Sequence, residues 1–131
     1  MSNTNDKAVT RLISLSMSQL TNEKLAAIQA LGEAGGDKAV TRLISLSTSQ
    51  LTNEKLAAIQ ALGRAGGDKA VTRLISLSTS QLTNEKLAAI QALGEAGGDK
   101  AVTRLLSLSM SQLTNEKLAA IQALGRAGRV K

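Results

Sequence analysis

The string Asp-Lys-Ala-Val-Thr-Arg-Leu opens at Asp6 and returns at Asp37, Asp68 and Asp99, a strict 31-residue period. A fixed period of that length confines the chain to a tandem-repeat architecture. Each unit is then one supersecondary element that buries its apolar surface only against its neighbours. The copies occupy 6–36, 37–67, 68–98 and 99–128, with a polar lead at 1–5 and a tail at 129–131, and together they form one repeat domain. They differ at three positions, which read Met17, Thr48, Thr79, Met110, then Ile13, Ile44, Ile75, Leu106, then Glu33, Arg64, Glu95, Arg126.

The second copy serves as the type. Asp37 is a good N-cap, and from it runs Lys38-Ala39-Val40-Thr41-Arg42-Leu43-Ile44-Ser45-Leu46-Ser47. At 100° per residue Ala39, Val40, Leu43, Ile44 and Leu46 share one arc, with Lys38, Thr41, Arg42 and Ser45 opposite. That is an amphipathic helix, ending near Ser47–Ser49. A second helix starts at Thr52, which can cap it. Glu54 suits the positive N-terminal dipole and Leu51 can staple onto Leu56. Gly66-Gly67 ends it, and Asp68 is expected to cap the next helix at once. The unit is an αα-hairpin and the fold class is all-α.

The second helix is apolar almost all round. Only Asn53, Gln60 and Arg64, with Ala57 among them, make a polar strip. A helix of that kind lies between neighbours. Its alanines and the mid-helix Gly63 allow close approach, whereas the Val, Leu and Ile of the first helix hold their neighbours farther apart. The stack is therefore expected to curve, with the Ala-rich helices on the inner wall and Gln60 and Arg64 facing the hollow.

The 131 residues include no Pro, Cys, His, Trp, Tyr or Phe. The core must be aliphatic. No disulfide, thiolate nucleophile, imidazole base or His/Cys zinc site can be built, so no cofactor or metal is expected. No apolar run approaches the ~20 residues of a membrane helix, and the polar start is unlike a signal peptide. The expectation is a soluble chain, cytoplasmic when expressed recombinantly, without a membrane partner. The net charge of +6 is dispersed: a Glu copy is neutral, an Arg copy is +2, and Arg129 and Lys131 supply the rest.

The motifs that could carry chemistry have structural explanations. Gly63-Arg64-Ala65-Gly66-Gly67-Asp68-Lys69 lacks the Gly-Lys-Ser/Thr of a phosphate loop and reads as a helix stop followed by a cap. Ser45-Leu46-Ser47-Thr48-Ser49 has no base to activate a hydroxyl and reads as a solvated turn. Asp37 and Glu54 are helix-end carboxylates, each present in every copy, whereas a catalytic centre needs an asymmetric constellation in a cleft. Arg11, Arg42, Arg73 and Arg104 are placed on the solvent face of the first helix, with acids interspersed and no aromatics for stacking, so no specific nucleic-acid partner is expected. Met17 and Met110 are open between packing gap-fillers and handles for structure determination. No enzyme and no small-molecule substrate are expected.

The terminal copies are the informative ones. The first keeps Val9, Leu12, Ile13 and Leu15, and the last keeps Leu118, Ile121 and Leu124, where solenoids carry polar capping units. The two end faces are expected to be apolar and mutually complementary, joining copies of the chain head to tail. Such a heterologous contact closes into a ring or runs on as a filament. The alternation Glu33, Arg64, Glu95, Arg126 would continue across the junction, since Arg126 would meet Glu33 of the next copy. Exposed pairs of this kind are worth ~0.2–1 kcal/mol, enough to bias register, while burial at roughly 25 cal/mol per Å² drives association.

Gly-Asp-Lys-Ala-Val followed by Leu-Ala-Ala-Ile-Gln-Ala-Leu-Gly resembles short HEAT-like repeats, which share Gly-Asp-x-x-Ala-Val and Ala-Leu-Gly, although the HEAT-like proline and aromatics are missing here. The near-identity of the copies means either a recent duplication or a unit written once and copied. Over 6–128 the chain is more similar to the computationally designed closed α-toroids, or circular tandem repeat proteins. That resemblance implies a left-handed αα ring, of which a four-copy chain is a sub-fragment completed by oligomerising, with three chains and twelve copies as the expected ring. A ring closed within one chain is a rival expectation. The alternative in another class is a HEAT-like binding module that holds a peptide or protein on its concave strip. The least favoured is a non-specific nucleic-acid binder.

Overall fold

The structure is a computed structural model and describes residues 4–129. Among them the chain forms eight α-helices: α1 (Thr4–Leu15), α2 (Thr21–Ala34), α3 (Gly36–Leu46), α4 (Thr52–Ala65), α5 (Asp68–Leu77), α6 (Thr83–Ala96), α7 (Asp99–Leu108) and α8 (Thr114–Ala127). Each copy is an antiparallel αα-hairpin, and the hairpins stack in chain order into a solenoid.

Odd-numbered helices form one layer and even-numbered helices the other. The layers are packed unequally. Each even helix lies along the next, α2 on α4, α4 on α6 and α6 on α8, far more extensively than the odd helices touch one another. Small residues make this possible. A Cβ built on Gly32, Gly63 or Gly94 would stand 2.8 Å from the Cβ of Ala61, Ala92 or Ala123 in the following copy. Close packing on one side and loose packing on the other favours a bend toward the even helices. Gln60 and Arg64 are exposed on the even helices.

The core runs continuously through the stack. Leu43, Leu74 and Leu105 of the odd helices meet Ile28, Ile59, Ile90, Leu31, Leu62 and Leu93 of the even ones, all fully buried.

The helix ends differ from the expectation in two ways. Leu51, not Thr52, is the N-cap of α4. Its backbone is extended, and Thr52 is already helical. Ser49 restrains the entry instead, its Oγ accepting from the Leu51 N–H at 3.0 Å. Leu51 stands mostly in solvent, so a staple onto Leu56 buries little of it. Nor does Asp68 cap α5. Gly67 does, with φ 89°, a conformation that side chains resist, and Asp68 begins the first turn. In α3 Asp37 likewise lies one residue inside, behind Gly36. Met17 and Met110 are exposed, which rules out gap-filling.

Candidate self-association faces

Polar ladders tie each copy to the next. Ser47 Oγ is buried, donates to the Ile44 carbonyl at 2.6 Å and accepts from Arg73 Nε at 3.0 Å. Arg42 reaches Ser16 at 2.9 Å and Arg104 reaches Ser78 at 3.0 Å in the same way. These arginines are therefore half-buried clips, not members of a free solvent face. The signal was present in the sequence as a constant 26-residue offset from Ser to Arg, legible only once the stacking is known.

A second ladder joins Lys24 to Glu54 at 3.2 Å, Lys55 to Glu85 at 3.5 Å and Lys86 to Glu116 at 3.4 Å. Burial works to raise the Glu54 carboxyl, but the Ser49 hydroxyl, the Lys24 ammonium and the Arg42 guanidinium outweigh it and hold it below the ordinary value. An exposed rung sets Lys69 on Asp37 at 3.4 Å and Lys100 on Asp68 at 3.1 Å.

Both ladders stop at the ends of the stack, and so does the apolar packing. Ile28, Ile59 and Ile90 are 0% exposed, whereas Ile121 is 49% exposed. Leu118 is 54% exposed although Leu56 and Leu87 are half-buried, and Leu124 is half-buried where Leu62 and Leu93 are sealed. Leu106, missed in the sequence reading, belongs to this forward face at 49% exposure. At the other end Val9, Leu12 and Leu15 are half-buried, while Val40, Leu43 and Leu46 are buried. Ala8, also missed, is exposed where Ala39, Ala70 and Ala101 are sealed.

Ile13 does not belong to that rear face. It is half-buried, as Ile44 and Ile75 are, so the lack of a preceding copy does not change its burial class. Leu106 is the member of that series with no copy beyond it.

Of the alternating residues, Arg64 Nη1 pairs with Glu33 Oε2 at 3.5 Å, with both side chains largely exposed. Among the described residues no ion pair joins Arg64 to Glu95 or Glu95 to Arg126.

The concavities recur with the repeat: a groove bounded by Thr52, Lys55, Leu82 and Glu85 has its counterpart at Thr83, Lys86, Leu113 and Glu116. Among the described residues no three His, Cys, Asp or Glu side chains are grouped to hold a metal ion, and no helix is long and apolar enough to cross a membrane.

No protein-family model matches the chain, and no curated protein is similar to it in sequence. Its backbone is similar to that of human deoxyhypusine hydroxylase, solved with glycerol, at a TM-score of 0.75 and 20% identity over 91% of this chain and 43% of that one. It is also similar to two crystal structures of engineered proteins, both targets of the Northeast Structural Genomics Consortium and both 23% identical. One has a TM-score of 0.55 over 91% of this chain and 62% of that one; the other has 0.54 over 92% and 37%. The chain thus spans less than two thirds of each. At these identities the likeness concerns the fold alone, an all-helical tandem repeat of αα-hairpins.

Proposed function

We propose that this chain is a designed structural scaffold whose activity is self-association, head to tail, into a closed ring. The observation that carries the reading is the series Ile28, Ile59, Ile90 and Ile121: one residue in one environment, sealed three times by a following copy and left 49% exposed the fourth time. The rear face offers the surface that seals the other three. Near-identical copies and engineered structural neighbours support a designed origin. The ring is left-handed with three chains and twelve copies, a size and hand taken from the likeness to designed α-toroids. The unequal packing of the two layers favours the bend toward the even helices that closure requires.

In this reading the chain carries no catalysis and takes no cofactor, and its partner is itself. The hydroxylase similarity bears on the backbone only. Small-angle X-ray scattering tests closure. A pair-distance distribution with the depleted centre of a ring is expected. Scattering that keeps growing along one axis with concentration contradicts closure, and the profile of a lone 13.6 kDa chain contradicts association.

A further inference from the structure

We infer that the junction is selected by a socket: Gly125 of one copy receives Ala30 of a second copy, flanked by Lys117 on the second copy's Glu23 and the second copy's Arg11 on Ser109. This rests on the self-association proposed above and names what makes the contact specific.

Within the chain the same relation occurs three times. Gly32, Gly63 and Gly94 each face the backbone and Cβ of an alanine one copy on, so closely that a Cβ on any of them would lie 2.8–2.9 Å from the alanine Cβ, Cα and carbonyl oxygen. No side chain fits there. Gly125 is the fourth member, and nothing stands within 4 Å of a Cβ built on it. Glycine weakens a helix interior, and in the lone chain Gly125 has no neighbour that requires it. The complementary alanine is also on hand. Ala61, Ala92 and Ala123 are buried against the preceding glycine, whereas Ala30, with no copy before it, is only half-buried.

The polar ladders leave a matching remainder, which is an independent observation. Lys24, Lys55 and Lys86 each meet the glutamate of the following copy, and Lys117 and Glu23 are the exposed residues left over. Ser16, Ser47 and Ser78 each receive an arginine from the following copy. Ser109 receives none among the described residues, and Arg11 is exposed. The forward face therefore lacks an alanine, a glutamate and an arginine, and the rear face presents those three, in the arrangement that each internal step already uses. A flat apolar partner would satisfy the leucines but would leave the socket empty and the lysine unpaired.

Two measurements decide it. In Gly125→Ala the new methyl meets the partner's backbone, not only its side chain, so each junction weakens by about ten- to a hundredfold. The isolated chain loses no thermal stability, since the position is open. Gln122→Ala, on the same helix at a site exposed in every copy, leaves the mass unchanged. Zero-length carbodiimide coupling then joins Lys117 of one chain to Glu23 of another, with the internal Lys24–Glu54 link appearing in the same digest. If Gly125→Ala assembles as well as the parent, the socket is wrong while self-association stands. If the Lys117–Glu23 link forms within a single chain, the second copy is wrong. If the parent chain never associates, both this inference and the proposed function fall.

Discussion

Gly63 and Ala92 are in backbone contact across two copies: a Cβ on Gly63 would fall 2.8 Å from the Cα, the Cβ and the carbonyl oxygen of Ala92. The helix propensity lost at Gly63 is the cost of that approach, and the unequal packing of the two layers follows from it. Gly63→Ala gains ~1 kcal/mol of helix propensity and loses more through overpacking, for which 1–3 kcal/mol is typical and relief here requires separating two helices. A net loss of about 1–2 kcal/mol is expected by urea denaturation. Unchanged or increased stability would show that the approach is looser than described.

Ser47 performs two bonds from a buried position, donating to Ile44 and accepting from Arg73. Ser47→Ala removes the acceptor and lets the arginine return to water. A loss of about 1 kcal/mol is expected, whereas Ser45→Ala, on an exposed position of the same helix, stays within about 0.5 kcal/mol. Equal effects for the two would deny the clip its role.

Glu54 gives the fold an acid limb. Its carboxyl is held below the ordinary value in the folded chain, so its contribution is fully present above the unfolded value and is lost as pH falls through the folded one. Urea midpoints measured at descending pH should therefore decline below the usual glutamate range. Glu54→Gln should start lower and decline less steeply over that interval. Parallel curves for the two proteins would contradict the assignment.

The forward and rear faces can be spoiled separately. Ile121→Glu and Leu12→Glu each place a carboxylate where the proposed junction excludes water, and each should dissociate the assembly into single chains. Both residues are partly exposed in the single chain, Ile121 more than Leu12, so helix content by circular dichroism should be retained, most fully in Ile121→Glu. Ring-sized particles from either variant would place the interface elsewhere.

Periodicity revealed the architecture because the repeat leaves so little freedom. Ala39, Leu43 and Leu46 sort to one side at 100° per residue, and all three are buried. What one copy could not reveal is direction. Ile13 and Leu12 are adjacent apolar residues of one stripe, yet Leu12 is less buried than Leu43 for want of a preceding copy while Ile13 stays half-buried like Ile44, a distinction that exists only between copies. The same blindness placed Arg42 in solvent when its partner, Ser16, belongs to the preceding copy. Capping was misread because two good signals compete: Gly67 can adopt φ 89° and Asp68 cannot do so cheaply, so the glycine takes the cap and the carboxylate moves into the first turn.

Multi-angle light scattering on the 131-residue chain, diluted over several orders of magnitude, tests the central claim most directly. The account predicts one discrete species at three times the 13.6 kDa chain mass, falling to single chains only at the lowest concentrations. A mass of 13.6 kDa at every concentration would contradict it, because both apolar ends would then be stable in water without a partner.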